Sequence, residues 1–489
     1  MANPFGDLLD FDKPKRSADP AAIMADVQAS KVPPRWDHQE QTYQHALSND
    51  RVLDFSDPGT GKTRAHADVF RERLEKSQTD KLLVLAPKTL LENAWKDDIN
   101  EFQPDLKCSI AWAENRDEAF NADADVFITN VDAVKYLAKQ SKTWFSKRFG
   151  RRPTLIIDEL TAYKHQTSAR SKAAQKVTGY FPFRAGLTAT PDPNSVLELW
   201  HQALLIDDGE RLGNRFFKYR SAVAEPVQTG PKAEHISWVD KEGIEDAVGL
   251  LLADITIRHA FEDCMDIPPN LTRMIRFDLP RKLQQQYDEM EMKSILALED
   301  GEIVGINAAS RANKLLQIAS GAAYDGGAKG SYRMLDDTRY QIVADLVEQS
   351  RHSVTFYNWH HQKDELAKVL KQRGVEYVLL DSSVSNKRRG EIRRAYQRGD
   401  FQTVLLHPQT GAHGLTLTKG TTTIWSSPVY QSDFMKQGKH RIYRGGQTKK
   451  TYTKCVSANN TIDEGVYTKA ELKTKRMDTF LGLLRESKQ

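Results

Sequence analysis

The stretch SDPGTGKT, residues 56–63, decides the fold. An apolar run, VLDF (52–55), leads into it and a helical pattern follows, the strand–loop–helix setting that a phosphate-binding loop requires. Gly59 and Gly61 free the backbone to turn its N–H groups inward, and the following helix N-terminus adds its own donors. Asp57, Pro58, Gly59, Thr60, Gly61, Lys62 and Thr63 form the expected nucleotide loop. Lys62 sets a point charge on the terminal phosphates, and the Thr63 hydroxyl is a ligand of the kind Mg²⁺ takes. Ser56 stands at the first position as a small residue.

Such a loop needs an acidic partner at the end of another buried strand. LIIDELT (155–161) supplies it, with Asp158 placed to hold Mg²⁺ and Glu159 to polarise an attacking water. Acids often end strands, so this pair gains its meaning from lying downstream of the loop in one α/β block. Together the two elements imply a nucleoside triphosphatase that uses Mg²⁺.

Further from the loop, short Leu- and Val-rich runs alternate with helical patterns: KLLVLAP (81–87), DVFITN (125–130), PTLIIDE (153–159) and FRAGLTAT (183–190). Runs of this kind suit strands covered on both faces, as in parallel sheets. Helical spacing takes over in 281–299 and 305–320, with a DG turn at 300–301. Strand-like runs return in HSVTFYN (352–358), VEYVLLD (375–381), QTVLLHP (402–408) and TTTIWSS (421–427). The expectation is an α/β protein with two RecA-like domains, parallel sheets and a helical insertion. Its divisions are a flexible tail (1–30), a first lobe with helical extension (31–270), a helical linker (271–335) and a second lobe (336–489).

Composition is that of a globular chain: 489 residues, 39% hydrophobic, 28% charged, formal net charge +4. No apolar run is long enough to span a bilayer, and the N-terminus lacks a secretory layout, so a cytoplasmic setting without a membrane partner is expected. The three cysteines lie far apart, which argues against a disulfide framework or structural zinc. The basic run from Lys436 to Lys475 is a candidate phosphate surface, although a solvated charged face is the commoner meaning. Phe216, Phe217 and Tyr219 among basic residues suit either a stacking protrusion or core packing.

The order of these elements resembles the Swi/Snf-like branch of superfamily two helicases and translocases, of the compact bacterial or phage type. RWDHQEQT (35–42) is similar to that branch's adenine-binding segment, which gives Gln39 the base and makes ATP the nucleotide. APKTLLENAWKDDINEF (86–102) resembles motif Ia, and ITN (128–130) sits where the next nucleic-acid contact falls. DELTAYKHQTS (158–168) is similar to an extended motif II with Lys164 at the lysine position, though Leu160 and Thr161 replace Ala-His. LTATPDPNSVLELW (187–200) resembles motif III, where Thr188 and Thr190 link ATP state to DNA grip. IRHAFEDCMDIPPN (257–270) with QQQYDEM (284–290) resembles the junction into the second lobe. QTGAHGLTLTKG (409–420) resembles motif V, and QGKHRIYRGGQ (437–447) motif VI, with Arg441 and Arg444 at its arginine positions and His440 replacing an Asp.

The resemblance runs from about Pro34 to about Ala470. It implies Lys88, Thr89, Thr129, Asn130, Thr410 and Gly411 as nucleic-acid contacts. It implies a DNA-dependent ATPase translocating along duplex DNA, with a strand-separating helicase and an ATP-switched DNA clamp as the alternatives. Duplex or branched DNA is then the partner, the tail 1–30 a docking segment for another protein, and a monomer the expected state.

Overall fold

The computed structural model describes residues 32–191, 194–229, 235–299, 304–324, 331–381, 383–411 and 415–486. The segment 1–30 and the DG turn at 300–301 lie outside them. Strands in chain order are β1 (Arg51–Asp54), β2 (Leu82–Ala86), β3 (Cys108–Ala111), β4 (Val126–Asn130), β5 (Thr154–Asp158), β6 (Phe183–Leu187), β7 (Ala224–Gln228), β8 (Ile236–Asp240) and β9 (Thr256–Ile257). They continue as β10 (Asn270–Phe277), β11 (Ala322–Tyr324), β12 (Tyr332–Met334), β13 (Ser353–Phe356), β14 (Tyr377–Leu380), β15 (Thr403–Leu406), β16 (Thr422–Trp425) and β17 (Thr451–Ala458).

The first sheet has seven parallel strands in the order β3-β4-β2-β5-β6-β1-β9. Its strands are apolar because both faces are covered. Leu53, Leu83, Leu85, Leu155 and Ile157 belong to one core, and Val52, Val84, Ile128 and Ile156 to the other. The register matters for function: Asp54 on β1 and Asp158 on β5 both pair with Leu187 on β6. Three neighbouring strands therefore end in one row, and ligands of open α/β sheets gather at such carboxyl ends.

The second sheet has six parallel strands, β10-β17-β16-β13-β15-β14. All eight strand-like runs named from the sequence fall on strands, and the two helical runs are helices Arg281–Glu299 and Val304–Ala319. The fold is thus two tandem RecA-like α/β domains joined through a helical insertion.

The expected boundaries meet two differences. The strand β10 opens the segment expected to be a helical linker, yet all eight of its residues pair with β17. Helix Arg281–Glu299 then packs Leu283 and Tyr287 beside Ala458, and the Tyr287 hydroxyl accepts the Ile462 amide at 2.7 Å. The insertion is built onto the second sheet. At the other end, the 25-residue helix Ile462–Glu486 serves both lobes. Tyr467 joins the second-lobe core, while Met477, Phe480 and Leu481 join the first-lobe core with Val248, Leu252 and Ile255. Arg476 seals the latter end with Asp240 at 2.7 Å and Glu245 at 3.2 Å.

Among the described residues no helix is long and apolar enough to cross a membrane.

Candidate active site

The phosphate-type loop follows β1 with Gly59 at φ +87° and Gly61 at φ +79°, the left-handed region that L side chains avoid. A Cβ at Gly61 would lie 2.0 Å from Gln39 Nε2, so the predicted base-reading glutamine rests directly on the loop. Gln39 is fixed there because its Oε1 accepts the Trp36 amide at 3.0 Å, and the neighbouring His38 Nε2 pairs with Thr60 O at 2.9 Å. Lys62 Nζ donates to the carbonyls of Ser56 at 2.6 Å and Asp57 at 3.0 Å. Its ammonium is thereby folded over the loop rather than extended into solvent.

Behind the loop lies a pair of buried residues that the sequence reading did not single out. Asp54 Oδ1 accepts the Ser56 amide at 2.9 Å, and Oδ2 meets His66 Nε2 at 3.1 Å. Burial alone would raise the Asp54 carboxyl. Its hydrogen bond and attraction to His66, with Lys62 nearby, hold it instead well below the usual carboxylate range.

At the end of β5, Asp158 Oδ2 accepts the Trp95 indole N–H at 2.9 Å, and Oδ1 accepts the Glu159 amide at 3.1 Å. Glu159 itself takes a left-handed φ of +58°, which swings its side chain out of line with the strand. Burial raises its carboxyl against the pull of Lys62 in its own lobe and Arg441 in the other. Arg441 is buried, donates to Gln437 O at 3.1 Å and Leu415 O at 3.2 Å, and faces Glu159. Burial and Arg444 push its guanidinium down to about 9, with Glu159 opposing. Arg444 lies against the loop, since a Cβ at Gly59 would come within 3.4 Å of Arg444 Cβ. Arg441 is therefore brought to Glu159, and Arg444 to the loop, from the other lobe.

Asp57 does something its place in the loop did not suggest. Its carboxylate takes Lys436 at 2.9 Å and Arg258 at 3.0 Å, and accepts the Phe261 amide at 3.0 Å. Burial opposes the charge, yet Lys436 and Arg258 keep the group well below the usual carboxylate range. Lys436 continues to Asp478 on the last helix at 3.0 Å, and Lys439 reaches Glu262 at 3.0 Å. Within the basic run from Lys436 to Lys475, Lys475 pairs with Glu471 at 2.7 Å, while Lys449, Lys450 and Lys469 are exposed. His440 is pushed down to about 3 by burial and is neutral, packing its ring edge-on against Phe261 with centroids 5.2 Å apart. His440 Nδ1 also meets Tyr443 O at 3.0 Å.

The remaining motif residues hold the frame. Lys164 pairs with Glu198 at 3.0 Å, Thr188 and Thr190 are buried beside the loop strand, and Leu160 is core. The Thr188 amide donates to Asp54 O at 3.0 Å. Gln447 Nε2 donates to the carbonyls of Thr418, Gly420 and Ile442 at 3.0–3.1 Å, tying motif V to motif VI.

The expected nucleic-acid residues divide. Lys88 is exposed on the turn Lys88–Leu90, and Thr89 Oγ1 is buried without a hydrogen-bond partner among the described residues. Thr129 is fully buried, and its hydroxyl donates to Ala111 O at 2.7 Å. Asn130 is also buried and accepts Arg116 at 3.3 Å. Thr410 and Gly411 lie in the short helix Pro408–Gly411, their side chains outside the described residues. Of the aromatic trio, Tyr219 is core with its hydroxyl on Val196 O, Phe216 packs on Trp200, and Phe217 is 70% exposed.

A bound Mg-nucleotide fits this donor set. A Cβ at Gly61 would collide with Gln39, and Lys62, Arg441 and Glu159 lie together beside the loop with Arg444 next to Arg441.

The family model for the SNF2-related domain matches residues 39–320, and that for the helicase conserved C-terminal domain matches 338–446. Protein p41 of Acyrthosiphon pisum secondary endosymbiont phage 1 is 27% identical over 476 residues, which cover 91% of this chain and 98% of that protein. An uncharacterized ATP-dependent helicase of Mycoplasma pneumoniae is 25% identical, covering 78% of this chain and 35% of its own length. The human SWI/SNF-related matrix-associated actin-dependent regulator of chromatin subfamily A member 1 is 23% identical, covering 82% and 38%. The chain thus spans nearly all of the phage protein and little more than a third of the two longer relatives. Among solved structures, the Sulfolobus solfataricus SWI2/SNF2 ATPase core in complex with dsDNA aligns over 93% of this chain and 95% of that one, with 18% identity and a TM-score of 0.43.

Proposed function

The chain belongs to the SNF2-related family and is an ATPase of that family, and from this we propose that it spends ATP hydrolysis on translocation along duplex DNA. The observation that carries the reading is Glu159, a buried carboxylate facing Lys62 from its own lobe and Arg441 from the opposite one. A base whose charge is balanced across a cleft is complete only when the lobes are closed, so hydrolysis and lobe movement are one event.

The residues divide the work as follows. Gln39 and the Gly59–Thr63 loop bind nucleotide, and Lys62 meets the terminal phosphates once released from the Ser56 and Asp57 carbonyls. Thr63 and Asp158 would hold Mg²⁺, which when bound neutralises phosphate charge and orients the transferring group. Glu159 orients and deprotonates the attacking water; its burial raises its basicity toward neutral pH. Arg441 and Arg444 stabilise the charge that develops on the transferred group, a role worth orders of magnitude in rate. Lys88 and the turn around it contact the nucleic-acid backbone.

Two substrates with ATP test the output. On a duplex carrying a third-strand oligonucleotide, the third strand is displaced. On a forked duplex with a single-stranded tail, the strands stay paired. Processive separation of the fork would overturn translocation in favour of a helicase, and ATP-dependent retention of DNA with neither activity would favour a clamp.

A further inference from the structure

One segment of the first lobe touches both the proposed DNA turn and the proposed magnesium acid. After β2 the chain makes the tight turn Lys88–Leu90, then a π-wound turn Leu91–Lys96, then helix Asp97–Phe102. The π winding shows in the Asp97 amide, which donates back to Glu92 O, five residues earlier. Such a turn holds one residue more than an α turn, which rotates everything after it by about 100°. The rotation has a visible result. Leu91, Trp95 and Ile99 are all fully buried in the core against the sheet, and the Trp95 indole N–H emerges at Asp158 Oδ2, 2.9 Å away.

A buried tryptophan needs a partner for its N–H, but a backbone carbonyl would serve. Here the partner is the carboxylate assigned to the metal. The same segment also faces the second lobe: a Cβ on Gly390, in helix Asn386–Arg398, would lie 4.0 Å from Asn93 Oδ1. Helix Asp97–Phe102 adds Asp98, which hydrogen-bonds the Thr63 side chain and faces Arg444.

We propose that Trp95 is a positioning residue: its N–H fixes the Asp158 carboxylate in the orientation that receives magnesium, and the π turn makes that fix depend on how the Lys88–Leu90 turn is seated on DNA. With the extra residue taken up by the neighbouring Lys88–Leu90 turn, this segment can wind as α, and these two windings are the two states of the proposal. In the π state the indole holds Asp158. In the α state the indole rotates away and the carboxylate loses its anchor. DNA at Lys88 selects between them, and this step rests on the translocase reading above.

The test uses the full chain and Trp95→Phe, which keeps an aromatic ring and removes the N–H. The primary readout is the Mg²⁺ concentration that half-saturates binding of ADP, measured by calorimetry. It rises about tenfold, the scale of losing a partner that orients a metal ligand. The companion variant Asp158→Asn and the double variant complete a cycle, in which Trp95→Phe adds little once Asp158 is changed. A folded Trp95→Phe protein with Mg²⁺ half-saturation within twofold of wild type would overturn the proposal. Hydrogen–deuterium exchange in the wild-type protein tests the coupling without any variant. Amides of 91–98 change protection when duplex DNA is added, and unchanged exchange in a DNA-bound sample overturns the coupling even where Trp95→Phe fails to fold. If duplex DNA neither binds nor stimulates ATP turnover, the translocase reading fails instead, and the Mg²⁺ readout still decides the Trp95–Asp158 contact.

Discussion

Lys436 Nζ stands 2.9 Å from Asp57 Oδ1, so a side chain of the second lobe neutralises a carboxylate inside the nucleotide loop of the first. Both groups are about nine-tenths shielded from solvent, and Arg258 supplies the other half of the neutralisation. With the Lys439–Glu262 pair and the His440–Phe261 ring contact, this ion pair joins the two lobes.

Lys436→Met should therefore loosen closure without removing any phosphate contact. Removing one partner of a buried pair costs about 3–5 kcal/mol, and less here because Arg258 stays on Asp57. kcat should fall about tenfold or more with ATP affinity nearly unchanged, and small-angle scattering should show a larger radius of gyration. Equal scattering and equal kcat would remove Lys436 from the coupling.

Glu159→Gln keeps the shape of the side chain and removes the base. Mg-ATP binding should persist while turnover drops by about 10²–10⁴-fold. Filter binding of labelled ATP beside a phosphate-release assay separates the two, and wild-type turnover would sink the assignment.

Arg441→Ala and Arg444→Ala should each lower kcat by about 10³-fold, the scale of an arginine supplied to phosphoryl transfer across a cleft. DNA affinity without nucleotide should stay within a few-fold, because Arg441 is buried and faces Glu159, and Arg444 faces Asp98. A large loss of nucleotide-free DNA affinity with turnover spared would mark them as DNA contacts instead.

Asp98 gives a pH prediction with a definite sign. Burial first, then the neighbouring Glu101, pushes its carboxyl up to about 7, and Arg444 offsets only part of that. The folded state thus holds this proton more tightly than the unfolded chain, so its contribution to stability is present at low pH and fades as pH rises toward 7. Asp98→Asn removes the penalty. Its melting temperature relative to wild type should rise between pH 5 and pH 8 in thermal scans, and a flat difference across that range would contradict the assignment.

DNA binding should be carried by the phosphate backbone. Affinity should fall steeply with salt and differ little between duplexes of equal length and different sequence. Fluorescence anisotropy over a salt series measures both, and strong sequence discrimination would count against backbone contact.

The loop was legible because its chemistry is local: eight residues carry the glycines, the lysine and the hydroxyl. The acids and arginines were legible by spacing within their own segments. What escaped depended on residues far apart in sequence. Trp95 meets Asp158 across 63 positions, and Lys436 of the second lobe meets Asp57 of the first. The Thr129 hydroxyl bond was not legible because β3, CSIA, is too short to read as a strand; its register sets Ala111 opposite Thr129 and takes the hydroxyl. The strand β17, TYTKCVSA, was hidden by polar residues that look solvent-facing, although β10 and β16 cover both its edges. Its partner β10 lies 181 residues away in register, which no local pattern reveals.

The helix Ile462–Glu486 sets a mechanical limit on the stroke. At about 1.5 Å per residue it is a rod of roughly 37 Å, with Tyr467 embedded in one lobe and Met477, Phe480 and Leu481 in the other. Pulling the lobes straight apart would expose those three apolar side chains at about 1.5–3 kcal/mol each. A swing about the rod is the movement expected to keep them covered. The cleft therefore opens as a clamshell on a fixed spine, with the smallest travel at the spine and the largest at the far rim.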